Sequence, residues 1–204
     1  MDASVFIFGA GYSGRATVRA LMPDVRQIAG TTRSPAKAGK LAGIGIEPHL
    51  YAGNGFNAET SVALRETTHL IVSIAPGEGG DPVLADLGPD GRDVLPSLRW
   101  IGYLSTVGVY GDHGCAWVDE ASECRPASER SRQRLEAEKA WAAFGHAAGV
   151  PVAVLRLSGI YGPGRNAFVN LANGAAKRIV KQGQVFNRIH VDDIAGATRH
   201  LMRQ

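Results

Sequence analysis

Short apolar runs alternate with stretches of helical spacing along the chain. The first run, Ser4–Phe8, is β-branched and aromatic and stops at a glycine, which is typical of a strand buried on both faces of a parallel sheet. Similar runs predict further strands at residues 25–30, 69–74, 100–104 and 152–157. Helical spacing covers residues 13–21, 35–41 and 129–148.

This alternation, with short connections, predicts right-handed βαβ units. We expect an α/β fold in one domain over residues 1–204, with a doubly wound parallel sheet of the Rossmann type and helices on both faces. Residues 77–91 are rich in Gly, Pro and Asp. They predict a loop with room for one helical turn, placed where ligands sit in open α/β sheets.

Composition narrows the classes of protein that fit this fold. Hydrophobic residues make up 45% and charged residues 20% of the chain, which is typical of a globular domain and excludes a fibrous or disordered one. The net charge is +3 without a long run of like charges, so we expect no nucleic-acid and no membrane partner. The apolar runs are too short to span a membrane. Two cysteines, Cys115 and Cys124, and no leader pattern favour a reducing cytoplasm.

A glycine-rich turn follows the first strand and opens the first helix. Its sequence is Gly9-Ala10-Gly11-Tyr12-Ser13-Gly14. In a dinucleotide-binding turn the first glycine makes the bend, the second lets backbone amides approach the diphosphate, and the third allows close packing of helix and strand. We therefore predict cofactor contacts from Gly9, Gly11, Tyr12, Ser13 and Gly14, with a ligand-free glycine turn as the alternative.

The end of the second strand carries the residues that select between cofactors. NAD-binding proteins usually have a carboxylate here for the ribose hydroxyls, whereas this chain has Thr32, Arg33 and Ser34. Arg33 and Thr32 are suited to hold a 2′-phosphate, which favours NADP over NAD. The alternative is a solvated arginine beside bound NAD. Ser73 and Ala75, after the strand at 69–74, are predicted to line the adenosine or ribose side of the cofactor.

Four further segments follow in order. They are residues 103–111 (Tyr-Leu-Ser-Thr-Val-Gly-Val-Tyr-Gly), residues 119–126 with Asp119-Glu120 and Arg125-Pro126, residues 155–164 ending in Tyr-Gly-Pro-Gly, and residues 188–195 with His-Val-Asp-Asp. This order and spacing resembles the extended short-chain dehydrogenase/reductases, the NAD(P)-dependent epimerase/dehydratase group. The resemblance spans nearly the whole chain.

The resemblance implies roles for particular residues. Thr106, with Ser105 beside it, falls at the Ser/Thr position that orients the substrate oxygen. Counting back from Glu138 places Arg130 where the family has its acid/base tyrosine and Arg134 where it has its lysine. A guanidinium stays protonated near neutral pH and cannot replace a phenolate. Arg134 is predicted to hold a cofactor phosphate or an anionic substrate, with a solvated helix charge as the alternative.

Other side chains near the strand ends are candidates for acid/base chemistry or metal binding. Tyr161 and Tyr110 are candidate replacement acids, although tyrosines in such turns more often serve packing. Asp192 and Asp193 resemble a metal or triad cluster beside His190, but their position favours a helix N-cap. We expect no bound metal.

The function that follows is an NADP-binding oxidoreductase or epimerase/dehydratase-like protein that lacks the usual Tyr–Lys pair and acts on a small polar or sugar-derived substrate. Residues after about 160 form a reduced C-terminal substrate lobe, because relatives continue beyond the segment at 188–195. A homodimer through the helix at 129–148 is the arrangement that relatives often adopt. The alternative function is a non-catalytic NADP-binding sensor or scaffold that acts through a protein partner.

Overall fold

The computed structural model describes residues 2–89, 91–177, 180 and 185–204. Six parallel strands form the main sheet in the order β3-β2-β1-β4-β5-β6. The strands are β1 (Ser4–Phe8), β2 (Gln27–Thr32), β3 (Glu47–Leu50), β4 (His69–Val72), β5 (Trp100–Thr106) and β6 (Val152–Leu157). The predicted doubly wound Rossmann sheet is confirmed.

Helices follow most of the strands. They are α1 (Tyr12–Leu21), α2 (Pro35–Ala42), α3 (Ala58–Glu66), α4 (Pro82–Leu87), α5 (Gly91–Val94), α6 (Glu129–Ala148), α7 (Ala167–Ala172) and α8 (Val191–Leu201). A 3₁₀ turn, Val107–Val109, follows β5, and a second sheet pairs β7 (Gly159–Tyr161) with β8 (Arg188–His190) in parallel.

Alternation along the strands divides the core into two layers, because successive strand side chains point to opposite faces. Phe6 and Phe8 of β1 pack with Trp141 of α6 and with residues of α3 and α4. Val5 and Ile7 pack on the other face, among residues of α1, α2 and α8. Both faces of the sheet are therefore covered, as the continuous apolar strands predict.

Strand β3 and helix α3 are among the elements missing from the sequence prediction. Strand β3 is a short edge strand that contains a proline and buries only His49 fully, so it has no apolar run to reveal it. Helix α3 follows it, with Asn57 accepting the Thr60 N–H at its start. The predicted limits of β2 were also too early by two residues, since the strand runs from Gln27 to Thr32.

The prediction for residues 77–91 left room for one helical turn within a loop, and the short helix α4 lies in this segment. Asp81 starts this helix by accepting hydrogen bonds from the N–H groups of Val83 and Leu84, and Pro82 occupies the first helical position. An Asp-Pro pair is a recognised helix start, so the sequence did carry the signal.

The N-cap of α8 also differs from the prediction. His190 is the capping residue, because its Nδ1 accepts the Asp192 N–H at 3.3 Å. Asp192 and Asp193 lie in the first turn of the helix, where carboxylates interact favourably with the helix dipole.

Candidate functional site

A cavity of about 750 Å³ opens at the carboxyl ends of β1, β2 and β4. Strand β1 pairs with β2 on one side and with β4 on the other, so the crossovers leave the sheet in opposite directions here. Crevices at such switch points are the usual ligand sites of open α/β sheets. The structure brings the following predicted residues together around this crevice: Gly9, Gly11, Tyr12, Ser13, Thr32, Arg33, Ser73 and Ala75.

The glycine turn fits tightly against the end of β4. Gly9 has a φ of +89°, and a Cβ there would lie 2.7 Å from Ile74 Cγ2. A Cβ on Gly14 would lie 2.8 Å from the Gly9 carbonyl oxygen. The Gly9 N–H donates to Thr31 Oγ1 at 2.8 Å, which ties the turn to β2. Gly9 is therefore required by space and by conformation, and Gly14 by space.

The first turns of α1 and α2 have no side-chain cap. Gly11 precedes α1, Ser34 precedes α2 without capping it, and neither first turn contains an acidic residue. In contrast, five helices have a side chain that accepts a first-turn N–H: Asn57 for α3, Asp81 for α4, Ser128 for α6, Asn166 for α7 and His190 for α8. Uncapped N–H groups and the helix dipole favour a bound anion.

The charge around the crevice has one sign. Its lining contains no carboxylate among the residues described, but it contains five cationic side chains: Arg15, Arg33, Lys37, Lys40 and Arg165. Thr32 Oγ1 accepts the Ser34 N–H at 3.2 Å and shapes the bend that carries Arg33. The crevice is therefore suited to a ligand with several negative charges.

Tyr51, after β3, also lines the crevice. Its hydroxyl donates towards Asp86 Oδ2 at 2.7 Å and the Pro82 carbonyl oxygen at 3.0 Å. Asp86 also accepts the Gly55 N–H at 3.0 Å. Burial, reinforced by Asp86, raises the pKa of the Tyr51 phenol. The hydroxyl therefore stays protonated and fixes the loop after β3 against α4.

At the end of β5, hydrogen bonds and an ion pair connect β5, α6 and β6. Ser105 is buried and donates to the Glu138 carboxylate, which is 6% exposed at its side chain. Glu138 accepts from Arg156 Nη2 at 2.8 Å and Nε at 3.1 Å, and the Arg156 guanidinium lies 4.8 Å from the centre of the Tyr110 ring. Hydrogen bonding to Glu138 raises the pKa of Arg156. The Ser105 hydroxyl thus donates its hydrogen bond within the protein.

Comparison with known proteins shows to which family the chain belongs. The sequence model of the NAD dependent epimerase/dehydratase family matches residues 98–204, more than half of the chain. A functionally unknown conserved protein from Silicibacter pomeroyi is 44% identical, with a TM-score of 0.86, over 99% of this chain and 68% of that chain. This chain belongs to the NAD dependent epimerase/dehydratase family. No curated protein matches it.

More distant members of the epimerase/dehydratase family share the fold. A dTDP-glucose 4,6-dehydratase from Bacillus anthracis, in complex with NAD, is 19% identical over 98% of this chain and 71% of its own, with a TM-score of 0.78. A UDP-glucuronic acid 4-epimerase from Bacillus cereus, in complex with UDP-glucuronic acid and NAD, is 19% identical over 98% and 73%, with a TM-score of 0.74. At these identities the likeness establishes the fold.

The family resemblance places Arg130 and Arg134 at the tyrosine and lysine positions, and this alignment stays a prediction. Arg134 Nη1 donates to the Leu104 carbonyl oxygen at 2.8 Å and to the Tyr103 hydroxyl at 3.3 Å, away from the residues that line the crevice. Arg130 is exposed on the first turns of α6. Burial raises the pKa of Tyr103 to about 12, so this phenol is a poor acid/base near neutral pH.

The remaining catalytic candidates lie at the ends of β5 and β7. Thr106 is half-buried, and its Oγ1 accepts the Gly108 N–H at 3.1 Å. Tyr161 is 42% exposed, stands edge-on to the His190 ring with centroids 5.1 Å apart, and is not among the crevice residues. Thr106 is likewise not among the crevice residues, so the structure brings neither Thr106 nor Tyr161 into the lining formed by the predicted cofactor residues.

Sequence reasoning missed several crevice residues. Lys37 and Lys40 recur at helical spacing on α2, directly after Arg33, and this spacing was an available signal. Tyr51 and Arg165 reach the crevice only through tertiary packing. Across the described ranges no group of three or more His, Cys, Asp or Glu side chains is placed to hold a metal ion. No helix there combines the length and apolar character of a membrane span.

Proposed function

We propose that this protein binds NADP(H) in the crevice and acts as an oxidoreductase or epimerase/dehydratase-type enzyme on a small polar, sugar-derived substrate. The observation that carries the proposal is that five cationic side chains line the crevice, with no carboxylate in its lining among the residues that the structure describes. NADP carries one more phosphate than NAD, and Arg33 stands at the strand end where that phosphate distinguishes the two cofactors. Lys37 and Lys40 add positive charge on the adjoining helix.

The crevice fits a dinucleotide in size and in chemistry. Its volume of about 750 Å³ lies within the range of small-molecule sites. The tight glycine turn and the uncapped first turn of α1 suit the diphosphate. When bound, the nicotinamide cofactor supplies hydride transfer, and the protein supplies position and charge.

Thr106 is the side chain that we assign to the substrate oxygen. Its Oγ1 uses a lone pair to accept the Gly108 N–H, which leaves its own proton available for donation. The neighbouring Ser105 already donates to Glu138 inside the protein. Sugar-nucleotide ligands in relatives such as the UDP-glucuronic acid 4-epimerase support a polar substrate.

A second candidate function is an NADP(H)-binding sensor without turnover. The observation that favours it is the position of Arg134, which bonds to the backbone of β5 and cannot exchange a proton near neutral pH. A sensor would bind the cofactor and pass its state to a partner protein. Both candidates require the same cofactor site.

Isothermal titration with NADPH, NADP, NADH and NAD tests that site. We expect Arg33→Ala to raise the Kd for NADPH about tenfold or more and to leave NADH unchanged, because a charged hydrogen bond is worth about 1.5–3 kcal/mol. Arg65→Ala, an exposed arginine on α3 outside the crevice, is the control. If the wild-type protein binds no dinucleotide, the proposed function is wrong.

Turnover separates the two candidates. NADPH oxidation is followed with a panel of small carbonyl compounds, in the wild-type protein and in Thr106→Val. Product formation from nucleotide sugars in the presence of NADP is followed by chromatography in the same two proteins, because epimerisation and dehydration cause no net oxidation of the cofactor. An enzyme should show activity that Thr106→Val abolishes while NADPH affinity stays the same. A protein that binds NADPH and turns over none of the panel would instead support the sensor.

A further inference from the structure

A tight turn from the C-terminal half of the chain lies directly over the glycine turn. Gly162 and Arg165 pair their backbones, with N–H to carbonyl distances of 2.9 and 3.0 Å in the two directions. Tyr12, in the glycine turn, donates its hydroxyl to the Pro163 carbonyl oxygen at 3.1 Å. Residues 151 positions apart in the chain therefore meet at the first turn of α1.

The packing around Gly162 leaves no room for a side chain at this position. Gly162 has a φ of +154°, and a Cβ there would lie 2.6 Å from Tyr12 Oη and 2.8 Å from Val191 Cγ1. Tyr12 and Val191 thus hold the turn from α1 and from α8. Its position relative to the glycine turn is set by the fold.

Arg165 is the side chain that this turn delivers to the crevice. Its guanidinium lies 5.6 Å from the centre of the Tyr12 ring, and both residues line the crevice. No carboxylate pairs with Arg165 among the residues described. Arg33, in contrast, belongs to the bend between β2 and α2. The crevice therefore receives cations from two separate parts of the chain.

We propose that Arg165 binds the diphosphate of the dinucleotide, as a cation placed across the glycine turn by the C-terminal half of the chain. This inference rests on the proposed NADP(H) function. The first turn of α1 presents uncapped N–H groups to the same ligand. A guanidinium suits phosphate oxygens because its planar donors match them two at a time. The contact with the Tyr12 ring places the guanidinium beside the glycine turn.

The test compares ligands that share or lack the diphosphate. NADPH, NADH and adenosine 2′-monophosphate are titrated into the wild-type protein, Arg165→Gln, Arg165→Lys and Arg33→Ala. Arg165→Gln should raise the Kd for NADPH and for NADH by the same factor, about tenfold. It should leave adenosine 2′-monophosphate unchanged. Arg33→Ala should show the opposite selectivity, and Arg165→Lys should recover part of the loss.

Three results would overturn the proposal. If the wild-type protein binds NADPH and Arg165→Gln binds it equally well, Arg165 only packs on Tyr12 and the proposed function stands. A loss restricted to NADPH would assign Arg165 to the 2′-phosphate instead. A wild-type protein that binds no dinucleotide would overturn both this proposal and the proposed function. Arg65→Gln is the matched control, and thermal denaturation shows that each variant is folded.

Discussion

The carboxyl edge of one sheet carries two regions with opposite character. Around the ends of β1, β2 and β4, the lining is cationic, two helices begin without side-chain caps, and the space is open. At the end of β5, polar groups are buried or half-buried and hydrogen-bonded within the protein: Ser105 to Glu138, Glu138 to Arg156, and Arg134 to the β5 backbone. The first region presents exposed positive charge and uncapped N–H groups, whereas the polar groups of the second bond within the protein.

The difference shows how one fold separates binding from structure. The crevice cations are exposed and, among the described residues, form no ion pair with a carboxylate, so they remain available for binding an anion. A buried charge is tolerated only when it is paired and hydrogen-bonded, so the Glu138–Arg156 group holds β5, α6 and β6 together. The polar groups at the end of β5 thus contribute to the stability of the sheet, while those of the crevice face the solvent.

The largest effect is expected from Glu138→Ala. Removing this carboxylate leaves the Arg156 charge and the Ser105 hydroxyl without their partner. We expect the free energy of unfolding to fall by about 3–5 kcal/mol, measured by urea denaturation. Glu136→Ala, which removes an exposed pair with Lys139 on the same helix, should cost less than about 0.5 kcal/mol. Equal losses of unfolding free energy in both variants would contradict the difference expected between buried and exposed pairs.

The next largest effect is expected from Gly9→Ala, which changes the lining of the crevice. The new Cβ would meet Ile74 in a backbone conformation that L-residues rarely adopt. We expect a loss of about 2 kcal/mol in stability and a strong loss of NADPH affinity, measured by denaturation and titration. Gly39→Ala on α2, where nothing lies within 4 Å of the new Cβ, should be neutral or slightly stabilising. Unchanged NADPH binding in Gly9→Ala would show that the turn does not hold the ligand.

Arg134→Ala decides to which region this residue belongs. The sequence predicts a cofactor contact, whereas its hydrogen bonds are to Leu104 and Tyr103. We expect a loss of about 1–2 kcal/mol in stability with unchanged NADPH affinity. Arg132→Ala, next to it on α6 and paired with Glu129 at the surface, is the control. A selective loss of NADPH affinity would move Arg134 to the cofactor side.

The smallest effect concerns pH. Burial lowers the pKa of His49 below its ordinary value of 6.5, against the opposing pull of Glu47 and Glu59. The unfolded chain therefore binds a proton more readily than the folded one, so stability is full above about pH 6.5 and falls as the pH drops below it. The slope is at most about 1.4 kcal/mol per pH unit for each proton. Denaturation of His49→Gln between pH 5 and 8 should show a shallower dependence of the free energy of unfolding on pH. An unchanged dependence would show that His49 is not the group responsible.

The fold was predictable wherever local pattern and burial agree. Strands β1 and β4 are continuous apolar runs because both of their faces are covered, and α6 and β6 have the limits that the sequence predicts. Strand β3 lies at the edge and contains Pro48, so no periodicity marked it.

The residues that line the crevice were predictable to the extent that they are local in sequence. The glycine turn and Arg33 follow directly from strand ends, and a motif can therefore identify them. Arg165 and Asp86 act through contacts with Tyr12 and Tyr51, far away in the chain. No spacing rule connects such pairs, because the packing of α8 on α1 and of α4 beside β3 creates them.

The seam between α1 and α8 has a consequence for biogenesis. Ala16 of α1 packs against Val191 and Ala195 of α8, next to Tyr12. The glycine turn leaves the ribosome before the helix that supports it, because α1 precedes α8 in the chain. A nascent chain therefore lacks this support for the glycine turn until α8 has been synthesised and docks. A ligand that binds only the folded chain would protect it from quality-control proteases.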